Sequence, residues 1–162
     1  MPSQPQSLQL EAQSRLLIKF SWQPPSDFGG VDLTLYTIYW DSGSGSADTS
    51  TFVSIGTKNP TEQLVFTQAA SLSAGQDYQL YVIAHNSIGE SEPSSVITIK
   101  AASEPSAPDT FTTVSQSTTA ITISWAAPDN GGTAITDYQV DWDQGSSVAS
   151  WTPLVTTTSG ST

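Results

Sequence analysis

The chain has a single histidine, His85, and no cysteine. Nucleophilic catalysis of the Ser/His/Asp kind would have to run through His85, because an imidazole is the base that takes the hydroxyl proton. In "YQLYVIAHN" this histidine shares its parity with Gln79, Tyr81 and Ile83, opposite to Tyr78, Leu80, Val82 and Ala84. It reads as a solvated residue on the outward face of a strand. A second set of residues has the chemistry of a hard-cation site. Asp141 and Asp143 flank an inward Trp142 and, with Asp137 or Asp129, could contribute to the about six to eight oxygen ligands that Ca²⁺ takes. Surface charge explains these acids equally well, since the corresponding strand upstream carries Thr37, Tyr39 and Asp41. The sequence contains no Gly-x-Ser-x-Gly elbow, phosphate-cradling glycine loop or His-rich metal spacing. The expectation is therefore no catalytic, cofactor-binding or metal residue, and no enzyme.

The elements that would have to position such groups occur twice. "FSWQPPSDFGGVDLTLYTIYWDSG" at 20–43 returns as "ISWAAPDNGGTAITDYQVDWDQG" at 123–145, placing Trp125 at 103 positions from Trp22 and Trp142 at 102 from Trp40. "PSQP" at Pro2–Pro5 likewise returns as "PSAP" at Pro105–Pro108. A period near 103 in a chain of 162 residues makes one whole unit and an incomplete second one.

Within the first unit the apolar residues alternate. Ile18, Phe20 and Trp22 interleave with Leu17, Lys19 and Ser21, and Tyr36, Ile38 and Trp40 repeat the pattern. Such a period of two belongs to a strand with one face buried. "QPPSDFGG" between them is a loop, because its prolines lack donors and its glycines allow positive φ. "TFVSI", "EQLVFT", "YQLYVIAHN" and "VITIK" add further short strands. Seven strands in about a hundred residues imply an all-β, two-sheet sandwich.

Trp22, the alternating Tyr36/Ile38/Trp40, the spacing Leu72-x-x-Gly75-x-x-Tyr78 and the run "YVIAHNSIGES" together resemble a fibronectin type III domain. The resemblance implies an immunoglobulin-like β-sandwich with a tyrosine corner at Tyr78, and its Val-x-Ala-x-Asn-x-x-Gly pattern falls on Val82, Ala84, Asn86 and Gly89. It divides the chain into a complete seven-stranded domain at 1–102, a short Pro-containing linker at 103–108 and a partial domain at 109–162 that holds strands A, B, C and C′ only. Expected structural core residues are Trp22, Tyr36, Trp40, Leu72, Tyr78, Trp125, Tyr138 and Trp142, with Ile121 and Ile123 also facing inward. In the family's topology strand B pairs with E and strand C with F, so the second unit is expected to have two unpaired inner edges. Either a natural continuation or strands donated by another chain would fill them.

Tyr39, Tyr81 and Ile83 project from the outer face of the C and F strands and form a candidate interaction face. Fifteen acidic against four basic side chains give a net charge of −11, and residues 104–162 contain no base, which argues against nucleic acid and anionic lipid as partners. No stretch has the apolar length of a membrane span. The functional expectation is a non-catalytic spacer or adhesion-type repeat of a larger protein, extracellular or at the cell surface, binding proteins or neighbouring repeats. Two alternatives stay open: an accessory segment of a secreted carbohydrate-active enzyme, and a scaffold repeat of an intracellular filament or cilium.

Overall fold

A computed structural model describes residues 1–146 and 150–155. The chain divides into two compact units, Met1–Ser103 and Glu104–Thr162. In the first, β1 (Gln6–Ser14), β2 (Leu17–Gln23) and β5 (Val65–Gln68) form one antiparallel sheet in the order β1-β2-β5. The facing sheet runs β4 (Val53–Lys58), β3 (Leu33–Trp40), β6 (Asp77–Asn86), with β7 (Gly89–Glu90) and β8 (Ile97–Lys100) both pairing with β6. This is an all-β sandwich. Strand β1, which the sequence pattern counts without locating, is mostly exposed and interrupted by two register shifts. Bulges of this kind blunt an edge that could otherwise recruit foreign strands.

Alternation decides which side chains enter the interior. Ile18, Phe20 and Trp22 of β2 meet Tyr36, Ile38 and Trp40 of β3 and Tyr78, Leu80, Val82 and Ala84 of β6, and all ten are buried. Across the two sheets the Trp22 and Tyr36 rings meet edge to face, with centroids 5.6 Å apart at 70°. Trp40 stacks on Tyr78 at 5.1 Å. Each ring removed from water contributes about 1.5–3 kcal/mol, and aromatic pairing adds about 0.5–1.5. The sheets approach so closely at β4 that a Cβ on Gly56 would stand 2.6 Å from the Phe66 ring. A larger residue there would have to displace that ring.

Backbone donors along β6 are met by three devices in turn. β8 pairs with residues 77–80, the hydroxyls of Ser94 and Ser91 accept from the N–H groups of Val82 and Ala84 at 3.0 Å each, and β7 pairs with His85 and Asn86. At the β5–β6 connection the Tyr78 hydroxyl accepts from the Ser73 N–H at 2.7 Å and donates to the Ser71 carbonyl at 3.3 Å. Gly75 in that turn has φ of 81°, and Leu72 packs against the core from it.

The second unit contains β9 (Phe111–Gln116) paired with β10 (Ile121–Trp125), and β11 (Val140–Trp142) paired with β12 (Thr152–Val155). Trp125 and Tyr138 meet edge to face at 5.4 Å and 69°, almost the geometry of Trp22 and Tyr36. Burial departs from expectation here. Ile121 is 72% exposed, Ile123 37% and Trp142 47%, so none of the three is a core residue, and Trp125 and Tyr138 are half-buried. The reason is the missing second neighbour: among the described residues β10 pairs only with β9 and β11 only with β12, whereas β2 and β3 each lie between two strands. Tyr138 also precedes its strand, which begins at Val140.

Tyr36 supplies a pH test of the core. Its hydroxyl has no hydrogen-bond partner among the described residues, and burial pushes its pKa from 10.0 up to about 12. The folded state then holds a proton that the unfolded chain releases, so stability is complete below pH 10 and falls as pH rises towards about 12. Chemical denaturation of the chain and of Tyr36→Phe at stepped alkaline pH is expected to show a steeper loss in the parent than in the variant.

Candidate functional site

The outer face of the β4-β3-β6 sheet carries Tyr39, Tyr81 and Ile83. Tyr39 of β3 and Tyr81 of β6 lie opposite each other in the ladder and stack at 5.1 Å. Phe52 then lies on Tyr81 at 5.4 Å, making a second small core of Phe52, Tyr81 and Ile83 with Tyr39 packed against it. This corrects the expectation of an open aromatic patch. Tyr39, Tyr81 and Ile83 do sit on the outward side, but Tyr81 is 6% and Ile83 9% exposed because Phe52 roofs them. Burial, and then the neighbouring Tyr39, raise the Tyr81 pKa.

The roof is held by local chemistry. A single 3-10 turn, Thr49–Thr51, starts at Asp48, whose carboxylate accepts from the Ser50 N–H at 3.0 Å and the Ser50 hydroxyl at 2.7 Å. Those bonds hold the Asp48 pKa below the ordinary carboxylate value. The turn ends at Phe52, so strand β4 starts one residue later, and the Tyr81 hydroxyl reaches the Thr49 carbonyl at 3.4 Å. Sequence reading missed Phe52 by assigning it to a strand; the available signal was Asp48, a residue type that caps helical turns, two positions before Ser50.

Asp41 was also missed. Buried at the end of β3, its two carboxylate oxygens accept from the N–H groups of Gly43, Gln79 and Gly45 at 2.9, 3.0 and 2.9 Å. Ser42 and Gly43 both take positive φ, 55° and 75°, in a turn closed by the Ser44 N–H on the Asp41 carbonyl at 3.0 Å. On the opposite end Asn86 accepts from the Ile88 and Gly89 N–H groups and donates to the Phe28 carbonyl, tying the β6–β7 turn to the loop before β3.

His85 lies between Thr37 and Glu90. Its Nε2 is 2.8 Å from Thr37 Oγ1 and its Nδ1 is 3.6 Å from Glu90 Oε1, so hydroxyl, imidazole and carboxylate stand in the order of an acyl-transfer triad. Two features separate this arrangement from a working one. Thr37 is buried in the sheet, and the residues around it and His85 are engaged in the β3–β6 ladder. The imidazole joins strands. Of the acids weighed for Ca²⁺, Asp129 accepts from the Gly131 N–H, Asp141 from the Gln139 amide and Asp143 from the Gly145 N–H. Among the described residues no three metal-ligating side chains converge.

Removing the roof tests this arrangement. Phe52→Ala is expected to cost about 1.5–3 kcal/mol of stability in denaturant titration, and to raise the binding of a solvent-polarity dye above that of the parent chain, because Tyr39, Tyr81 and Ile83 become one open patch. Unchanged stability and dye binding no greater than the parent's would contradict the roof.

The comparisons with known proteins agree with this geometry. The fibronectin type III domain family matches residues 3–100. Titin of Drosophila melanogaster is 33% identical over 145 residues, covering 86% of this chain and 1% of that protein. Fibronectin type III domain-containing protein 1 of Margaritifera margaritifera is 32% identical over 145 residues, covering 88% of this chain and 18% of that protein. These alignments are longer than the first unit and continue into the second. The chain spans less than a fifth of the length of either relative. In fold, the sixth fibronectin type III domain of human fibronectin type III domain containing protein 3 superposes with a TM-score of 0.52 at 24% identity, covering 66% of this chain and 93% of that one. The kinase region of twitchin from C. elegans superposes at 0.52 and 25% identity over 62% of this chain and 16% of that one. With its two sheets closed on Trp22 and Tyr36 and its corner at Tyr78, the chain belongs to the fibronectin type III family.

Proposed function

We propose that the chain is a load-bearing spacer and interaction repeat of a larger protein, working outside the cell or at its surface and catalysing no reaction. The observation that carries this reading is where the reactive groups go. Asp41, His85 and Asn86 each join two segments of the sandwich, so their polar atoms serve cohesion instead of substrate. Relatives named as receptors support the cell-surface setting: ephrin type-B receptor 2 of Coturnix japonica is 28% identical over 88% of this chain, which spans 15% of that protein. Proteins and neighbouring repeats are the partners this reading implies, in keeping with a net charge of −11 that disfavours nucleic acid.

A second reading has its own support. Solved structures similar to this chain include "Titin kinase and its flanking domains", at 24% identity and a TM-score of 0.50. A repeat that flanks a catalytic unit, or one bead of an intracellular scaffold, would use the same fold.

A spacer must resist extension as one cooperative body. Pulling the chain by its ends in a single-molecule force experiment is expected to release the 103 residues of the first unit in one step, lengthening the tether by about 3.3–3.6 Å per residue. Release in several smaller steps at low force would contradict the load-bearing role.

A further inference from the structure

We infer that Asn130 and Gly131 form a self-modification site, at which the Gly131 amide attacks the Asn130 side chain and the pair rearranges in water to aspartate and isoaspartate. The inference rests on one turn of the second unit and is independent of the spacer reading. Of the asparagines Asn59, Asn86 and Asn130, only the last is followed by glycine. Asn59 precedes Pro60, whose nitrogen has no hydrogen to lose. Asn86 precedes Ser87, and its buried amide is held at both ends, donating to the Phe28 carbonyl and accepting from the Ile88 and Gly89 N–H groups. Asn130 is exposed.

The turn brings a base and an oxyanion donor to this pair. Gly131 N–H donates to Asp129 Oδ1 at 2.9 Å, so a carboxylate already sits on the proton that the attacking nitrogen must lose. Asn130 Oδ1 accepts from the Gly132 N–H at 2.9 Å, and this is the oxygen that takes negative charge when its carbon is attacked. Nucleophile and electrophile are chain neighbours, so no encounter is needed. Gly131 and Gly132, at φ of 69° and 100°, bring no side chain to obstruct the approach. The turn is closed by the Thr133 N–H on the Asn130 carbonyl at 3.3 Å and tied to the start of the unit by the Ser106 N–H on the Asp129 carbonyl at 2.9 Å. The first unit carries the same turn without the electrophile. Asp27 Oδ1 accepts from the Gly29 N–H at 2.7 Å and the Asp27 carbonyl from the Ser3 N–H at 2.8 Å, but Phe28 stands where Asn130 does.

As the Gly131 nitrogen bonds to Asn130 Cγ, Asp129 takes its proton and the electron pair of the Cγ–Oδ1 double bond moves onto Oδ1. The oxyanion then re-forms the double bond and expels Nδ2, which leaves as ammonia with the proton that Asp129 held. A cyclic imide remains. Water opens it at either carbonyl: breaking the nitrogen bond to Cγ gives aspartate, and breaking the nitrogen bond to the main-chain carbonyl carbon gives isoaspartate. A water is consumed and an ammonia released, with no change of oxidation state. Both products place a second carboxylate beside Asp129, and like charges at that separation repel. Isoaspartate also lengthens the backbone by a carbon, which displaces the Asn130 carbonyl from the Thr133 N–H.

The test follows the whole chain at neutral pH by peptide mass mapping, with chromatography to separate the aspartate and isoaspartate forms at residue 130. The parent is compared folded and in urea, which keeps the sequence and removes the turn. Asn130 is expected to convert about tenfold faster in the folded chain, while Asn86 keeps its amide. Asp129→Asn retains an oxygen for the Gly131 N–H and removes the base. It is expected to slow conversion at 130 about tenfold in the folded chain and to leave the rate in urea little changed. Three results would overturn the proposal: Asn130 unconverted in the folded chain, equal rates folded and in urea, or a folded rate that Asp129→Asn leaves as it was. The comparison of folded chain with urea needs no substitution, so it decides the matter even where the variant does not fold.

Discussion

Two pleated sheets cannot stay together unless each gives the other a continuous layer of side chains to bury, and in this molecule the centre of that layer is the Trp22 indole meeting the Tyr36 ring edge to face. Everything nearby is arranged to keep the contact dry. Phe20 tilts against Trp22 on one side, and Phe66 continues the row under the glycine at position 56. Trp40 on Tyr78 extends the layer to the corner, where the tyrosine hydroxyl is fixed by backbone at residues 71 and 73. A cohesive interior of this kind explains why the reactive side chains lie at its rim. Asp41, Asn86 and His85 each close a boundary between segments.

The repeat is a repeat of bonds as well as letters. Ser3 N–H donates to the Asp27 carbonyl at 2.8 Å, and Ser106 N–H to the Asp129 carbonyl at 2.9 Å. Asp27 and Asp129 each accept from a glycine N–H two residues on, at 2.7 and 2.9 Å. Asp41 and Asp143 do the same for Gly43 and Gly145. These turn bonds recur in the second unit, while burial does not. Hydrogen-bonded turns need only their own few residues; a buried tryptophan needs neighbours on several sides, and Trp142 has them on fewer than Trp40 does. That contrast separates what a segment specifies alone from what a complete sandwich supplies.

Period-two alternation made β2, β3 and β6 readable, because a half-buried strand must alternate and little else does. The tyrosine corner was readable through resemblance to a known family, its Leu-x-x-Gly-x-x-Tyr spacing being short and local. The roof over Tyr81 was not. "TFVSI" alternates well enough to pass for strand from its first residue, and only the capped turn at Asp48 moves Phe52 out of the strand and over the sheet. Asp41 escaped notice for a similar reason: a carboxylate in a Ser/Gly-rich turn looks solvated until Gln79, 38 residues on, is brought against it. In the second unit alternation pointed Ile121, Ile123 and Trp142 inward, yet parity states only which residues share a face. Whether that face is covered depends on a strand that alternation within β10 or β11 cannot reveal.

The dependence of cohesion on two-sided strand pairing is tested most directly by residue-resolved amide hydrogen exchange on the monomeric chain. The account predicts that the central amides of β2, β3 and β6 exchange only through global opening of the first unit, with one shared protection, and that those of β10 and β11 exchange far faster through local opening. Protection in β10 and β11 equal to that in β2 and β3, with the chain still monomeric, would contradict it.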